Sequence, residues 1–509
     1  MADTEVFDVI IVGAGPCGLA TAARLREHTP AALFTDEEHR RFHWIGKYGN
    51  KVSLKNVRSG KTSSPRGKTR PEYKMMVLDG TDDKWLGRWN ELFGLYDISH
   101  LRSPMLWHVD PLDRDSLLAH AYSENRENEL VEIRNCVGKE ISKHAKKKAG
   151  SRHCGKNIIR KDMLVDVDYG IVRGVSIEDR SLFTVTTSSG RFYSKTVVLG
   201  VGAANKPDIP RMPSMPKDIQ NLRQACHSMQ IKTFPDPIVQ QRIAAGQRTN
   251  VLVVGGGLTS AQLSDLAIRR GVTKVWHMMR GPCRVKHFDV DLEWMGKYKN
   301  TEQARFWLAD SDEERLEIIK EARGGGSITP LFHKRLRKHV ASGRLELFER
   351  TCLLDTTFVE DEDGAGGTWT VATDPPVADM PSFDYIYFAT GIQTDVSKLP
   401  YLKTMRDKYP IDSFGGFPCI NDDLMWNNDV PLFLLGRLSA LKLGPAAPNI
   451  GGAKLGAERV AWAIEATIRP SGWEEGEGEQ EEKNGGMAGY LSGHGNMYSA
   501  LATEASEQS

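Results

Sequence analysis

Gly13-Ala14-Gly15-Pro16-Cys17-Gly18 and Gly255-Gly256-Gly257-Leu258-Thr259-Ser260 are the two segments whose residue types and spacing carry the clearest chemistry. Each follows an apolar run, Phe7 to Val12 and Asn250 to Val254, that reads as a buried parallel strand. In such a strand–loop–helix unit Gly13 makes the tight turn and Gly15 lets the backbone approach a pyrophosphate. Gly18 lets the following helix, expected over 19–28, pack close to the strand. That helix starts with its positive end towards the phosphates. Two such units predict two dinucleotides held face to face, which is the arrangement a flavin reduced by a nicotinamide needs.

The residues behind each loop separate the two sites. After the first, the strand Ala31 to Phe34 ends in Thr35-Asp36-Glu37, and an acid there accepts hydrogen bonds from ribose hydroxyls. Gly13, Gly15, Pro16, Gly18 and Asp36 or Glu37 are therefore expected to hold FAD. After the second, Ser260 replaces the third glycine and the strand Val272 to Met279 ends in Arg280. A carboxylate would repel a 2′-phosphate, whereas an arginine pairs with it. Gly255, Gly257, Thr259, Ser260 and Arg280 are expected to hold NADPH.

The elements that must position these loops are legible in outline. At 509 residues the chain has room for two or three domains. Lysine and arginine number 67 against 66 acids, so neither nucleic acid nor a membrane surface is an expected partner. No apolar run reaches the length of about 18 residues that a membrane-spanning helix needs. The first strand is under way by Val6, which leaves no room for a signal peptide. Seven cysteines lie singly, with no CxxC, which fits a reducing, cytoplasmic setting and disfavours a redox-disulfide flavoenzyme. Cys17, though at a helix N-terminus, reads as a small residue filling a tight loop.

Residues 58–74 read as a basic loop and 139–161 as a solvated charged insertion. Alternating segments over 171–175 and 182–187 suggest a strand meander, leading to the buried strand Thr196 to Leu199 and its turn Gly200-Val201-Gly202. A helical pattern over 301–323 is broken by Gly324-Gly325-Gly326. Tyr385 to Phe388 leads to Ala389-Thr390-Gly391, and Val430 to Leu435 leads to Gly436. A Gly/Pro segment from Gly444 opens a helix that runs to about Ile468. Its positive end suits a reduced flavin ring, so Asn449, Ile450, Gly451 and Gly452, with Gly436, complete the expected FAD contacts. The Gly/Glu/Ser-rich tail cannot bury enough apolar surface to order itself. The predicted class is α/β, with two Rossmann-like dinucleotide-binding domains of the three-layer ββα type. An FAD domain (1–240 and 379–469) is interrupted by an inserted NADPH domain (241–378), and 470–509 is a disordered tail.

Four landmarks in this order resemble the class B flavin-dependent monooxygenases. Asp384 with Phe388-Ala389-Thr390-Gly391 is similar to the D(x)3(L/F)ATG pattern of the lysine and ornithine N-hydroxylases. Leu101-Arg102-Ser103-Pro104 with His108 is similar to their LRSP…H segment, and His227-Ser228 to their HS element. The Baeyer–Villiger fingerprint FxGxxxHxxxW is absent. A closer resemblance, over most of 5–468, is to the oxidative-stress-induced growth inhibitor family and its fungal relatives, carried by Trp85-Leu86-Gly87-Arg88-Trp89, Phe288 to Trp294 and Gly444 to Asn449.

The resemblance implies FAD and NADPH as cofactors, Thr390 and Gly391 beside the NADPH, and O2 and a small molecule as the other partners. It implies oxygen transfer from a C4a-(hydro)peroxyflavin to a soft nucleophile, an amine nitrogen or a sulfur, with N-hydroxylation in secondary metabolism foremost. An NADPH oxidase or reductase, and a non-catalytic redox-sensing growth regulator, are the alternatives. Asp289, Asp291 and Glu293 share one face if extended and would then suit an amine, although a solvated acidic face reads as the simpler role. His108, His227 and His287 are weak candidates to carry protons, since a lone histidine is usually structural.

Overall fold

Runs of Val, Ile and Leu that can be covered on both faces form the centres of two parallel sheets. The structure, a computed structural model, describes residues 5–26, 54–55, 62–63, 72–104, 107, 116–133, 139–142, 158–176, 180–202, 207–216, 218, 222–295, 298–362 and 366–468. Outside them lie Ala31 to Phe34, Asp36, Glu37, His108, the tail from 469, and most of 58–74 and of 139–161.

The first sheet contains β1 (Val6–Val12), β2 (Met75–Asp79), β3 (Ile159–Lys161), β4 (Leu164–Gly170), β5 (Leu182–Thr187) and β6 (Arg191–Leu199). β1 lies between β2 and β6, with β3 beyond β2, all parallel. Ile10, Ile11, Val77, Leu78 and Val198 are fully buried there. The first half of β6 pairs antiparallel with β5, which pairs with β4, so a three-stranded meander branches from the parallel layer. The meander begins at Leu164 rather than Ile171. Residues 171–175 form a turn in which Gly174 takes φ 77°, a conformation that ends an extended strand.

The second sheet contains β7 (Ala225–His227), β8 (Asn250–Val254), β9 (Lys274–Met278), β10 (Leu345–Phe348) and β13 (Tyr385–Phe388), with the hairpin β11 (Cys352–Glu360) and β12 (Gly367–Asp374) inserted before β13. Its order is β7-β13-β8-β9-β10, all parallel. This corrects the expected boundaries: Asp384 to Phe388 completes the second sheet instead of resuming the first, and the second lobe begins by Ala225. The reason is long-range pairing, since β13 fills the gap between β7 and β8. The chain returns to the first sheet only at β14 (Leu432–Leu434), parallel to β6.

Helix α1 (Pro16–Arg26) follows the first glycine loop and α2 (Leu258–Arg269) the second. The helix expected over 301–323 is two, α3 (Lys299–Trp307) and α4 (Asp312–Arg323). Ser311 starts α4 afresh, its hydroxyl accepting from the Glu314 amide at 3.1 Å. The last helix, α5 (Ile450–Thr467), packs on α1 through Ala20, Ala453 and Ala457. Arg24 and Glu458, each 3% exposed, pair across the same interface at 2.6 Å. Removing one partner of such a buried pair costs about 3–5 kcal/mol, which ties the first loop's helix to α5. Among the described residues no helix is long and apolar enough to cross a membrane.

Candidate active site

Both glycine loops are built to one plan. Gly13 has φ 105°, and a Cβ on it would fall 2.4 Å from the Gly200 carbonyl oxygen. Gly255 has φ 150°, and its Cβ would fall 2.3 Å from the Ala389 carbonyl oxygen. The strand-end turns Gly200 to Gly202 and Ala389 to Gly391 thus do the same job in the two lobes. A Cβ on Gly18 would lie 1.9 Å from the Gly13 oxygen, whereas Cβ atoms on Gly15 and Gly257 would meet nothing within 4 Å. Each loop is closed where it packs and open at its middle glycine, where a pyrophosphate needs room.

Pro16 is the first residue of α1, and Gly257 is the N-cap of α2 with no side-chain cap, so first-turn amides stay open to an anion. Thr259 lies half-buried in that turn. Ser260 is fully buried and donates to the Gly257 carbonyl at 2.7 Å, so it braces the loop from inside. Gly326 rests on the Gly256–Gly257 backbone, a role for the glycine triplet that helix-breaking alone does not suggest.

The acid at the end of the strand beside β1 is Asp79. Its Oδ2 accepts from the Ala14 amide at 2.8 Å, and its Oδ1 from the Thr81 amide at 2.8 Å. Burial alone would raise this carboxyl, but hydrogen bonds from Thr81, Ala14 and Asp82 outweigh it and hold the pKa below the ordinary value. Met75 to Asp79 is itself an apolar run ending in an acid, yet it stands over 50 residues beyond the loop. Ala31 to Phe34, with Asp36 and Glu37, lies outside the described residues.

At the matching edge of the second sheet Arg280 is exposed and makes no hydrogen bond or ion pair among the described residues. Just before it, His277 is fully buried and donates from Nε2 to the Gly255 carbonyl at 2.8 Å, since a carbonyl only accepts. Burial, partly opposed by that bond, lowers its pKa to about 4. A depressed histidine contributes stability above its unfolded pKa of 6.5 and loses it as pH falls towards the folded value. Each unit of separation is worth about 1.4 kcal/mol. The melting temperature should therefore fall between pH 6.5 and 4, and His277→Gln should flatten part of that slope; equal slopes in melting curves at pH 7 and pH 5 would contradict it.

The junction between the lobes uses the remaining motif residues. Thr390 donates its hydroxyl to the Asp208 carbonyl, and the Asp208 amide donates to the Gly391 carbonyl at 3.1 Å, which ties both to the linker. Asp384 accepts from the Asn250 amide at 2.6 Å and pairs with Arg242, anchoring the start of β8. Arg102 donates to the His287 carbonyl at 3.0 Å, so the LRSP segment grips the stretch whose residues 285–288 and 290–293 line a cavity of about 380 Å³.

His227 is 1% exposed, and its Nδ1 accepts from the Met229 amide at 3.2 Å as part of a capping box. Burial lowers its pKa, and its Nδ1 holds the turn that opens at Ser228. Leu292–Trp294 is a 3₁₀ turn, so Asp289, Asp291 and Glu293 do not form one extended face. Asp289 pairs with Arg323 at 2.9 Å and accepts from Asn449 Nδ2 at 3.1 Å, while Asp291 pairs with Lys286 at 2.8 Å.

Asn449 is the N-cap of α5, but its side chain is directed to Asp289, leaving the amides of Ile450 and the residues after it without a side-chain cap. Gly451 lies under the Trp107 ring, and Gly452 against the Ala447 backbone, where a Cβ would fall 2.4 Å from Ala447 Cα. Gly436, at φ 67°, lets β14 turn past Cys17, where a Cβ would stand 3.3 Å from Sγ. Burial pushes the Cys17 thiol up to about 12, in keeping with a packing role.

No family model matches the chain, and no curated protein matches it. Solved structures do. The ornithine N-hydroxylase of Kutzneria sp. 744, solved with reduced FAD, NADP+ and L-ornithine, is 15% identical over 91% of this chain and 99% of its own, with a TM-score of 0.60. The FAD-bound cadaverine monooxygenase of the desferrioxamine pathway of Erwinia amylovora is 14% identical over 91% and 95%, at 0.59. L-lysine 6-monooxygenase from Pseudomonas syringae is 16% identical over 91% and 100%, at 0.57. The chain therefore has the two-lobed α/β fold of the class B N-hydroxylating flavin monooxygenases.

Proposed function

We propose that this protein is an FAD- and NADPH-dependent monooxygenase that oxygenates an amine nitrogen of a small molecule. The observation that carries the reading is the doubled loop: two glycine turns of one plan, one beside a strand that ends in Asp79 and the other beside a strand followed by Arg280. FAD fits the first lobe, with its pyrophosphate on the amides at the start of α1, its ribose on Asp79, and its ring near the uncapped start of α5. NADPH fits the second, on the start of α2 and on Arg280.

When bound, the flavin supplies hydride acceptance and oxygen activation. The chain's own residues bind, orient and exclude water. His277 and Ser260 fix the loop shape, and the Arg323–Asp289–Asn449 chain ties the start of α5 to α4, which packs in the first sheet's core. The histidine and acid expected to handle protons or amines, His227 and Asp289, are engaged in structural bonds, which suits chemistry that belongs to the cofactor. The amine preference rests on the shared fold with amine hydroxylases.

Purified protein should be yellow, release FAD on denaturation and be bleached by NADPH. NADPH oxidation across amines, amino acids and thioethers, with product mass read for one added oxygen, tests the rest. Peroxide release with every compound would make it an oxidase, and a thioether-only response would move the oxygenation to sulfur. Arg280→Ala should weaken NADPH binding by about 1.5–3 kcal/mol, the value of a charge-assisted contact, and leave NADH use nearly unchanged. Equal loss with both nucleotides would make Arg280 structural.

A further inference from the structure

Two arginines stand at the carboxyl edge of the second sheet beside its glycine loop. β9 and β10 end in register, Met278 opposite Phe348. Beyond them the Met279 amide donates to Phe348 at 2.8 Å, the Thr351 amide to Met279 at 3.0 Å and the Arg350 amide to Gly281 at 3.2 Å. These bonds bracket Arg280 and hold Arg350 on the facing stretch of chain. Arg350 takes φ 52°, a left-handed conformation that costs a non-glycine residue energy and is kept where a site requires it. Both side chains are exposed, and neither makes a hydrogen bond or ion pair with a described residue. The adjacent acid, Glu349, is occupied by the Cys283 amide at 2.8 Å.

In the first sheet Leu78 opposite Arg160 is the pairing equivalent to Met278 opposite Phe348, so the Asp162 amide bonds Asp79 as the Thr351 amide bonds Met279, and no residue of that sheet takes the place of Arg350. Asp162 is buried and accepts from the hydroxyls of Thr187, Ser188 and Ser189, and its amide donates to Asp79 at 2.9 Å. Asp162 is thereby a structural anchor of the first sheet, with both oxygens occupied. Two exposed guanidiniums at the strand ends, where open α/β sheets take their ligands, suit a phosphate dianion.

We propose that Arg350 acts with Arg280 as a two-arginine grip on the 2′-phosphate of NADPH, an inference that rests on the second lobe being the NADPH site. The test uses the FAD-loaded protein, with 2′,5′-ADP and 5′-AMP as probes measured by calorimetry. Arg350→Ala is expected to weaken 2′,5′-ADP about ten- to a hundredfold and to leave 5′-AMP within about twofold. Arg350→Gly, which keeps the left-handed turn without strain, should show the same loss, assigning it to the guanidinium rather than the backbone. A double-mutant cycle with Arg280→Ala should be non-additive. Unchanged 2′,5′-ADP affinity in both variants, or equal loss for both probes, overturns the proposal while sparing the NADPH reading. A wild-type protein that does not prefer 2′,5′-ADP to 5′-AMP overturns both.

Discussion

Gly18→Ala is expected to yield a colourless protein. The new methyl would stand 1.9 Å from the Gly13 carbonyl oxygen and 3.2 Å from its carbon, both main-chain atoms that no rotamer change can move. Restoring ordinary contact requires the start of α1 to retreat on the order of 1.5 Å from the loop. The amides aimed at the pyrophosphate move with it, and each charge-assisted bond lost is worth about 1.5–3 kcal/mol. Two such losses weaken FAD about a hundredfold or more. FAD content per chain and the visible spectrum after purification are the measurements, with circular dichroism to confirm folding. A folded variant carrying the wild-type complement of FAD would remove the first loop from the flavin site.

How much of this was legible in the sequence depends on whether a requirement is local. Gly13, Gly15 and Gly18 were legible from their spacing, and the structure shows the demand on Gly18 as a contact inside the loop, on Gly13, whereas the demand on Gly13 comes from Gly200 at the end of β6. Arg280 was legible as the end of the strand next in sequence after its loop. Asp79 was not, because β2 pairs with β1 across more than 60 residues, and an apolar run ending in an acid does not say which strand it will lie beside. The same blindness put Tyr385 to Phe388 in the wrong lobe, since four buried residues carry no address.

The partners of polar residues were illegible for a related reason. Asp289 and His227 look free in sequence, and only the fold brings Arg323 and Asn449 to one and the Met229 amide to the other. Arg350 gave no signal, because an arginine after a strand is ordinary until its neighbour proves to be Arg280.

Gly255→Ala should separate the two sites, giving a yellow protein that NADPH no longer bleaches. Its methyl would lie 2.3 Å from the Ala389 oxygen and 2.8 Å from the Ala389 carbon, at a φ of 150° that an L-residue resists. The turn it would collide with is held in place by Thr390 on Asp208, so the loop must yield instead. That displaces the Gly255 carbonyl from His277 and the start of α2 from the nucleotide. Loss of two phosphate contacts weakens NADPH about a hundredfold or more, by the same figures as for the first loop. The first sheet and its glycine loop are untouched, so FAD content should match wild type. Stopped-flow reduction by NADPH, with FAD content and dithionite reduction as controls, measures it. Loss of FAD together with NADPH would mean that the lobes do not divide the two nucleotides as proposed, whereas retained FAD with failed reduction assigns the hydride donor to the second loop.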